Sequence, residues 1–184
     1  VRIRLALLGL TAPAVLAAAY VAYLRSDAYR HGNRLFYRAG RPNEAGRLAG
    51  DAWAALAAVG LTPAYMVALE TVGHRSGRRR SIPVVLADHE GGRYLVSMLG
   101  ERSPWVHNIR AAGGRAAIRH GGRTEVTCVE IPAGERAPIL RAYLERAPGG
   151  RPHIPVDRHA PLADFEAIAA SYPVFRIDPV PATG

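Results

Sequence analysis

Lysine is absent from the 184 residues, and cysteine occurs once, at Cys128. A lone cysteine excludes an internal disulfide and any thiolate-cluster metal site, and nothing in the chain demands an oxidising compartment. Without lysine every basic side chain is arginine. Beside abundant alanine this marks a GC-rich genome, so codon drift accounts for part of the arginine excess. The remainder matters physically, because 24 basic against 15 acidic residues leave a net charge of +9. Such a surface favours phosphates, polycarboxylates, acidic lipid or nucleic acid as partners. Also missing are internal repeats, low-complexity tracts and any well-spaced Ser-His-Asp set, carboxylate pair or metal cluster, so hydrolytic and metal-assisted chemistry lack their usual parts. What is present is apolar material, 49% of residues, enough for one domain with a substantial core.

Leu5 to Leu24 carries no charged side chain and is flanked by Arg2 and Arg4 before it and Arg25 after it. A helix of that length extends about 30 Å and can cross a hydrocarbon core. Residues 1–25 therefore read as a hydrophobic helix that anchors the chain in a membrane, with Tyr20 and Tyr23 suited to an interface. Two alternatives are a cleaved signal ending near Ala17-Ala18-Ala19, and an Ala-rich helix, kinked near Pro13, lying on the membrane or on the domain. Arg25, Arg30, Arg34, Arg38 and Arg41 outnumber Arg2 and Arg4, so the positive-inside bias sets the rest of the chain on the cytoplasmic face of the membrane. Residues 26–43 read as a basic linker and 44–184 as the folded domain.

In that domain Ala45, Leu48, Ala49, Ala52, Trp53, Leu56 and Ala57 recur at the spacing of one buried helical face, ended by Gly60 with Pro63 beyond. The texture then changes. Residues 65–72, 81–89, 93–99, 115–120 and 124–131 are short apolar or alternating runs, most of them separated by turn chemistry: an Arg-rich loop, Gly91-Gly92 and Gly121-Gly122. Between the third and fourth runs, Ser103 as N-cap, Pro104 at the first helical position and Gly113 as terminator predict a short helix. Residues 138–146 and 161–171 predict two more helices, and 172–178 a last strand. Repeated short hairpins imply an antiparallel sheet or barrel, mainly β with helices (α+β).

The segment "GHRSGRRRSIP" concentrates Arg75, Arg78, Arg79 and Arg80 in the turn of the first hairpin. If the chain is extended there, Arg78 and Arg80 share a face about 7 Å apart, with Arg75 above them. That is a clamp for a phosphate or a carboxylate chain; the alternative is a solvated hairpin tip. The N-terminus of the helix at Ser103 offers a second anion site, with Trp105 and Asn108 three residues apart on it. A nucleic-acid binder would interleave aromatics with its arginines, and this loop has none.

Taken in order, G-x-R-S-G-x-x-R (Gly73 to Arg80), Pro83, a strand closing at Leu95 to Ser97, and W-x-x-N-[IL]-[RK]-A (Trp105 to Ala111) resemble the deazaflavin (coenzyme F420)-dependent nitroreductase family of actinobacteria. The resemblance covers Leu69 to Ile131 and, more weakly, the chain up to Asp178; residues 1–40 lie outside it. It implies a split β-barrel of the FMN-binding kind. It also implies F420 as cofactor, its phosphate and acidic tail on Arg75 and Arg80, with Ser76, Gly77, Arg78 and Arg79 in the same loop. Pro83, Val85, Ser97, Met98 and Leu99 would line the deazaflavin ring, and Trp105 and Asn108 would lie beside the phosphate. The implied reaction passes a hydride from C5 of the reduced coenzyme to an apolar acceptor such as a quinone, an activated alkene or a nitro compound, with no dedicated acid or base required. His107, His153 and His159 are the candidate proton donors. FMN or haem in the same barrel, and a non-catalytic deazaflavin- or lipid-binding module, are the alternatives. Three departures stand out: His74 where a basic residue is usual, Leu99 where some members carry lysine, and no tyrosine-rich substrate wall, for which Tyr172 and residues 149–161 are the nearest candidates.

Overall fold

The computed structural model describes residues 36–38 and 41–180; the hydrophobic helix expected at 5–24 and most of the basic linker lie outside them. Strands β1 (Tyr37–Arg38) and β2 (Arg41–Pro42) pair antiparallel and lead into α1 (Glu44–Ala58). Asn43 caps α1, its Oδ1 accepting from the Gly46 amide at 2.9 Å, and Gly60 (φ 78) reverses the chain after it.

The face of α1 turned to the sheet shares Ala57 with the one the sequence pattern selects but is rotated toward Ala54. Ala54 and Ala57 are buried, and with Ala58 they pack on Ala68 of the neighbouring strand, while Leu48 and Leu56 remain 72% and 41% exposed. Alanine occupies several faces of this helix, so apolar periodicity could not tell them apart. The small side chains let the backbone lie close against Ala68, and the leucines have no room there.

The barrel strands are β3 (Met66–Val72), β4 (Arg79–His89), β5 (Gly92–Val96), β6 (Arg115–Arg119), β7 (Arg123–Glu130) and β8 (Val174–Pro179). They close antiparallel in the order β3-β4-β5-β8-β7-β6, which meets the α+β barrel expectation. Alternation along each strand sends Val67, Leu69, Leu86, Leu95, Ala116, Ile118, Val126, Cys128, Phe175 and Ile177 into one interior cluster. Helix α2 (Pro104–Ala111), between β5 and β6, adds Val106 and Ile109 to the same cluster. Outside the barrel, α3 (Ala137–Arg146) and α4 (Leu162–Ile168) bury Ile139, Leu140, Tyr143, Leu144 and Phe165 against Ala87, Val96 and Val174. Cys128 is sealed in the interior: burial, with the Asp178 carboxylate adding to it, pushes its thiol up to about 12, so it stays protonated and inert.

Arginine–carboxylate links tie the pieces. Arg110 of α2 joins Glu101 (2.6 Å) to Glu130 at the end of β7 (2.6 Å). Buried Arg136 donates to Glu130 (3.1 Å) and to the Ile131 carbonyl (2.7 Å) at the start of α3. On β3, Glu70 lies between Arg123 (2.8 Å) and Arg119 (3.3 Å). Burial alone would raise the Glu70 carboxyl, but the hydrogen bonds from Arg123 and Arg119 outweigh it and hold it below the usual range. The hydrogen bond from Arg110 does the same for Glu101 against its own burial. Both groups are depressed in the folded state. Their stabilisation is complete above the ordinary carboxylate value of 4.5 and is lost as pH falls through the folded values. The urea midpoint should therefore decline as pH falls below about 5 through the loss of these two carboxylates' contributions. Glu70→Gln and Glu101→Gln together should flatten that decline; an unchanged acid slope in the double variant would place its source elsewhere.

Candidate functional site

The β3–β4 hairpin ends in a closed loop. The Gly73 amide donates to the Arg78 carbonyl at 2.9 Å, and the Gly77 and Ser76 amides donate back to the Gly73 carbonyl at 2.8 and 3.2 Å. Gly77 sits at φ 63, a backbone shape that side-chain-bearing residues rarely adopt, so the turn selects glycine there. Arg75, Arg78, Arg79 and Arg80 are all exposed on this loop and the strand start beside it. Among the described residues none of the four pairs with a carboxylate, whereas Arg110, Arg119, Arg123, Arg136, Arg146 and Arg176 all do.

Register fixes where these side chains start. Arg80 lies opposite Thr71 and Arg79 opposite Val72. By alternation Arg80 belongs to the face of Ile82, Val84 and Leu86, which pack in the barrel interior, so it stands at the mouth of the barrel. Pro83 and Val85 fall on the other face with Arg79, and Val85 packs against the layer of α3 and α4. Arg78 precedes the strand. The structure thus divides the arginine segment and the Pro83–Val85 segment between two faces of β4.

After β5 the chain turns at Ser97, Met98 and Leu99. Ser97 is 1% exposed, its Oγ 2.7 Å from the Gly100 carbonyl and 2.6 Å from Ser103 Oγ. With one proton to give, Ser97 donates to the carbonyl and accepts from Ser103. Ser103 occupies the N-cap position, as its sequence context suggests, but its hydroxyl makes no cap bond. Gly100 (φ 66) abuts the backbone of Ser171, where an added Cβ would lie 2.8 Å from the carbonyl oxygen. Met98 and Leu99 are half-buried.

On α2, half-buried Trp105 stacks obliquely on Phe175, ring centroids 5.6 Å apart. Asn108 is 5% exposed. Its Oδ1 lies 3.0 Å from the His74 amide and 2.9 Å from His74 Nδ1, and its Nδ2 donates to Thr71 Oγ1 at 3.1 Å. The His74 and His107 rings are 6.0 Å apart. Thr71 went unnoticed in the sequence, although a hydroxyl following Val67 and Leu69 on an inward face is a polar residue at an apolar position.

The remaining candidates lie elsewhere. His153 is held below the usual histidine range by burial, and its carbonyl accepts from the Tyr172 hydroxyl at 3.0 Å. Burial raises the Tyr172 phenol, with Arg102 opposing. His159 accepts from Arg158 at the surface. No group of three metal-ligating side chains occurs among the described residues. An open groove of about 390 Å³ lined by Tyr65, Asp88, Ala142, Glu145 and Arg146 lies at the opposite end of the β3–β4 hairpin from the arginine loop.

A family model described as F420H(2)-dependent quinone reductase matches residues 53–162, which take in the arginine loop, β4, the turn after β5 and α2. The chain belongs to the F420H2-dependent quinone reductase family. No curated protein sequence matches it. Solved structures similar to it include an F420-H2 dependent reductase at 19% identity, covering 62% of this chain and 95% of that one with a TM-score of 0.42. A conserved hypothetical protein from Mycobacterium tuberculosis is 16% identical over 77% of this chain and 84% of that one, TM-score 0.44. A heme binding protein from Mycobacterium smegmatis is 15% identical over 67% and 49%, TM-score 0.41.

Within this family member, the Ser97–Ser103 pair joins the end of β5 to α2. Ser97→Ala should strand the Gly100 carbonyl and the Ser103 hydroxyl in a buried place and lower unfolding free energy by about 1 to 3 kcal/mol. A denaturant titration showing no shift in midpoint would mean the pair contributes nothing.

Proposed function

We propose that the protein is a reductase that uses F420H2 as hydride donor and an apolar acceptor such as a quinone, with activated alkenes or nitro compounds as further members of that class. The observation that carries this reading is the set of four exposed arginines on one closed loop and the strand start beside it, none with a carboxylate partner among the described residues. Like charges gathered without counterions favour a polyanion, and a phosphodiester with a glutamate tail supplies several negative charges at the spacing of a flexible chain.

The residues present fit such a coenzyme. Arg75 in the loop and Arg80 at the barrel mouth would hold its phosphate and acidic tail, with Ser76, Gly77, Arg78 and Arg79 flanking them. Half-buried Met98, Leu99 and Trp105 offer apolar surface for a ring. When bound, the reduced deazaflavin supplies the hydride from its C5; the chain's own part is to bind, orient and exclude water. His107 is the candidate proton donor nearest the arginine loop, because its ring neighbours His74.

A membrane setting suits an apolar acceptor. Its support is the uncharged run from Leu5 to Leu24 and the exposed Leu48, Leu56, Val59 and Leu61 on and just after α1, at 72%, 41%, 61% and 75%. The anchor would hold the domain on the cytoplasmic face. The full chain should sediment with membranes, and its recovery intact from the soluble fraction would refute the anchor.

Fluorescence titration tests the cofactor. F420 should bind in preference to FMN or haem. Arg75→Ala and Arg80→Ala should each weaken it by roughly 1.5 to 3 kcal/mol, the range for charged hydrogen bonds. Affinity should also fall as salt rises. Normal F420 affinity in both variants would move the anion site, and a preference for FMN would overturn the cofactor.

A further inference from the structure

We propose that Asn108 is the positioning residue of the arginine loop, a buried latch that sets the anion site without touching the anion. The proposal rests on the reading of that loop as the coenzyme site. A backbone N–H can only donate, so the Asn108 atom 3.0 Å from the His74 amide is the carbonyl oxygen. The same oxygen lies 2.9 Å from His74 Nδ1, so the imidazole donates there and carries its proton on Nδ1. Both lone pairs of Oδ1 are then occupied, and Nδ2 is bound to Thr71 Oγ1 at 3.1 Å. One side chain on α2 thereby grips the end of β3 and the residue just before Arg75. Thr71, its third partner, faces Arg80 across the ladder.

These bonds converge on an Asn108 that is 5% exposed, and the one to Thr71 is buried, while the loop they hold is solvated. Among the described residues its other bonds are those of its own turn, and the like charges in it and at the start of β4 push it open. An anchored loop presents its guanidiniums ready-placed, which lowers the ordering cost of binding a polyanion. His74, whose ring differs from the basic residue usual in that place, serves here as a partner of the latch.

The test is a double-mutant cycle in the full chain, with F420 as the titrant. Asn108→Ala and His74→Phe should each weaken binding about tenfold, and the double variant should be no worse than the weaker-binding single variant, the sign of one shared interaction. His74→Asn, whose amide can donate from the place of Nδ1, should restore most of the loss. In the protein without coenzyme, hydrogen exchange of the loop amides at 73–78 should quicken in Asn108→Ala and in His74→Phe and recover in His74→Asn, with β5 and α3 unchanged. Additive losses would overturn the proposal in favour of direct contact between Asn108 and the coenzyme. Should the unaltered protein fail to bind F420, the functional reading falls, and exchange alone judges the latch: unchanged loop exchange in His74→Phe, whose ring is exposed, would refute it.

Discussion

The insertion of β8 between β5 and β7 is the constraint on which the rest of the structure depends. Leu95 pairs with Phe175 on one side of it and Cys128 with Ile177 on the other, which turns an open sheet into a barrel. Because β8 follows β7 only after residues 131–173, the chain must carry α3 and α4 around the outside before closing, and their apolar faces cover Ala87, Val96 and Val174. Phe175, fully buried, is also the surface on which Trp105 rests, so barrel closure and the placement of α2 share one side chain. Removing a buried aromatic of that kind costs about 3 to 5 kcal/mol, much of the stability of a domain this size.

Charge is distributed in two distinct ways over this framework. Arg110, Arg119, Arg123 and Arg136 are consumed as ties between elements, each bound to Glu70, Glu101, Glu125 or Glu130. Among the described residues the four arginines of the β3–β4 loop and the start of β4 have no such partner, and the barrel positions one of them, Arg80, at its mouth. The first group spends its charge on holding the fold; the second keeps its charge for something outside the chain. Net charge alone cannot make that distinction.

Much of this was legible from the chain alone. Alternation of Val67 with Leu69 and of Ile82, Val84 and Leu86 marked strands, and Ser103-Pro104 marked the start of α2 because a missing amide costs nothing at that position. The arginine loop was legible too, since a charged, glycine-containing stretch between two apolar runs marks a turn, although Arg79 and Arg80 already belong to β4. The face of α1 was legible only in part, because alanines recur on more than one side of it: Ala57 belongs to the apolar pattern, whereas Ala54 is selected only by contact with Ala68. The group formed by Thr71, His74 and Asn108 was not legible, because Asn108 lies 34 residues from His74 and 37 from Thr71 and meets them only after β3 and α2 have docked. His74, which in the sequence is only a departure from the basic residue usual in that place, is in the fold a hydrogen-bond donor to a buried amide.

The central claim is that the unpaired arginine loop serves hydride transfer from a polyanionic deazaflavin. Its most direct test is the oxidation of F420H2 by the full-length protein in lipid vesicles containing a quinone, followed by the return of deazaflavin absorbance. The account predicts turnover that requires both protein and quinone and that slows as ionic strength rises. Binding of F420 with no quinone-dependent oxidation would leave a non-catalytic binding protein, and neither binding nor oxidation would contradict the account outright.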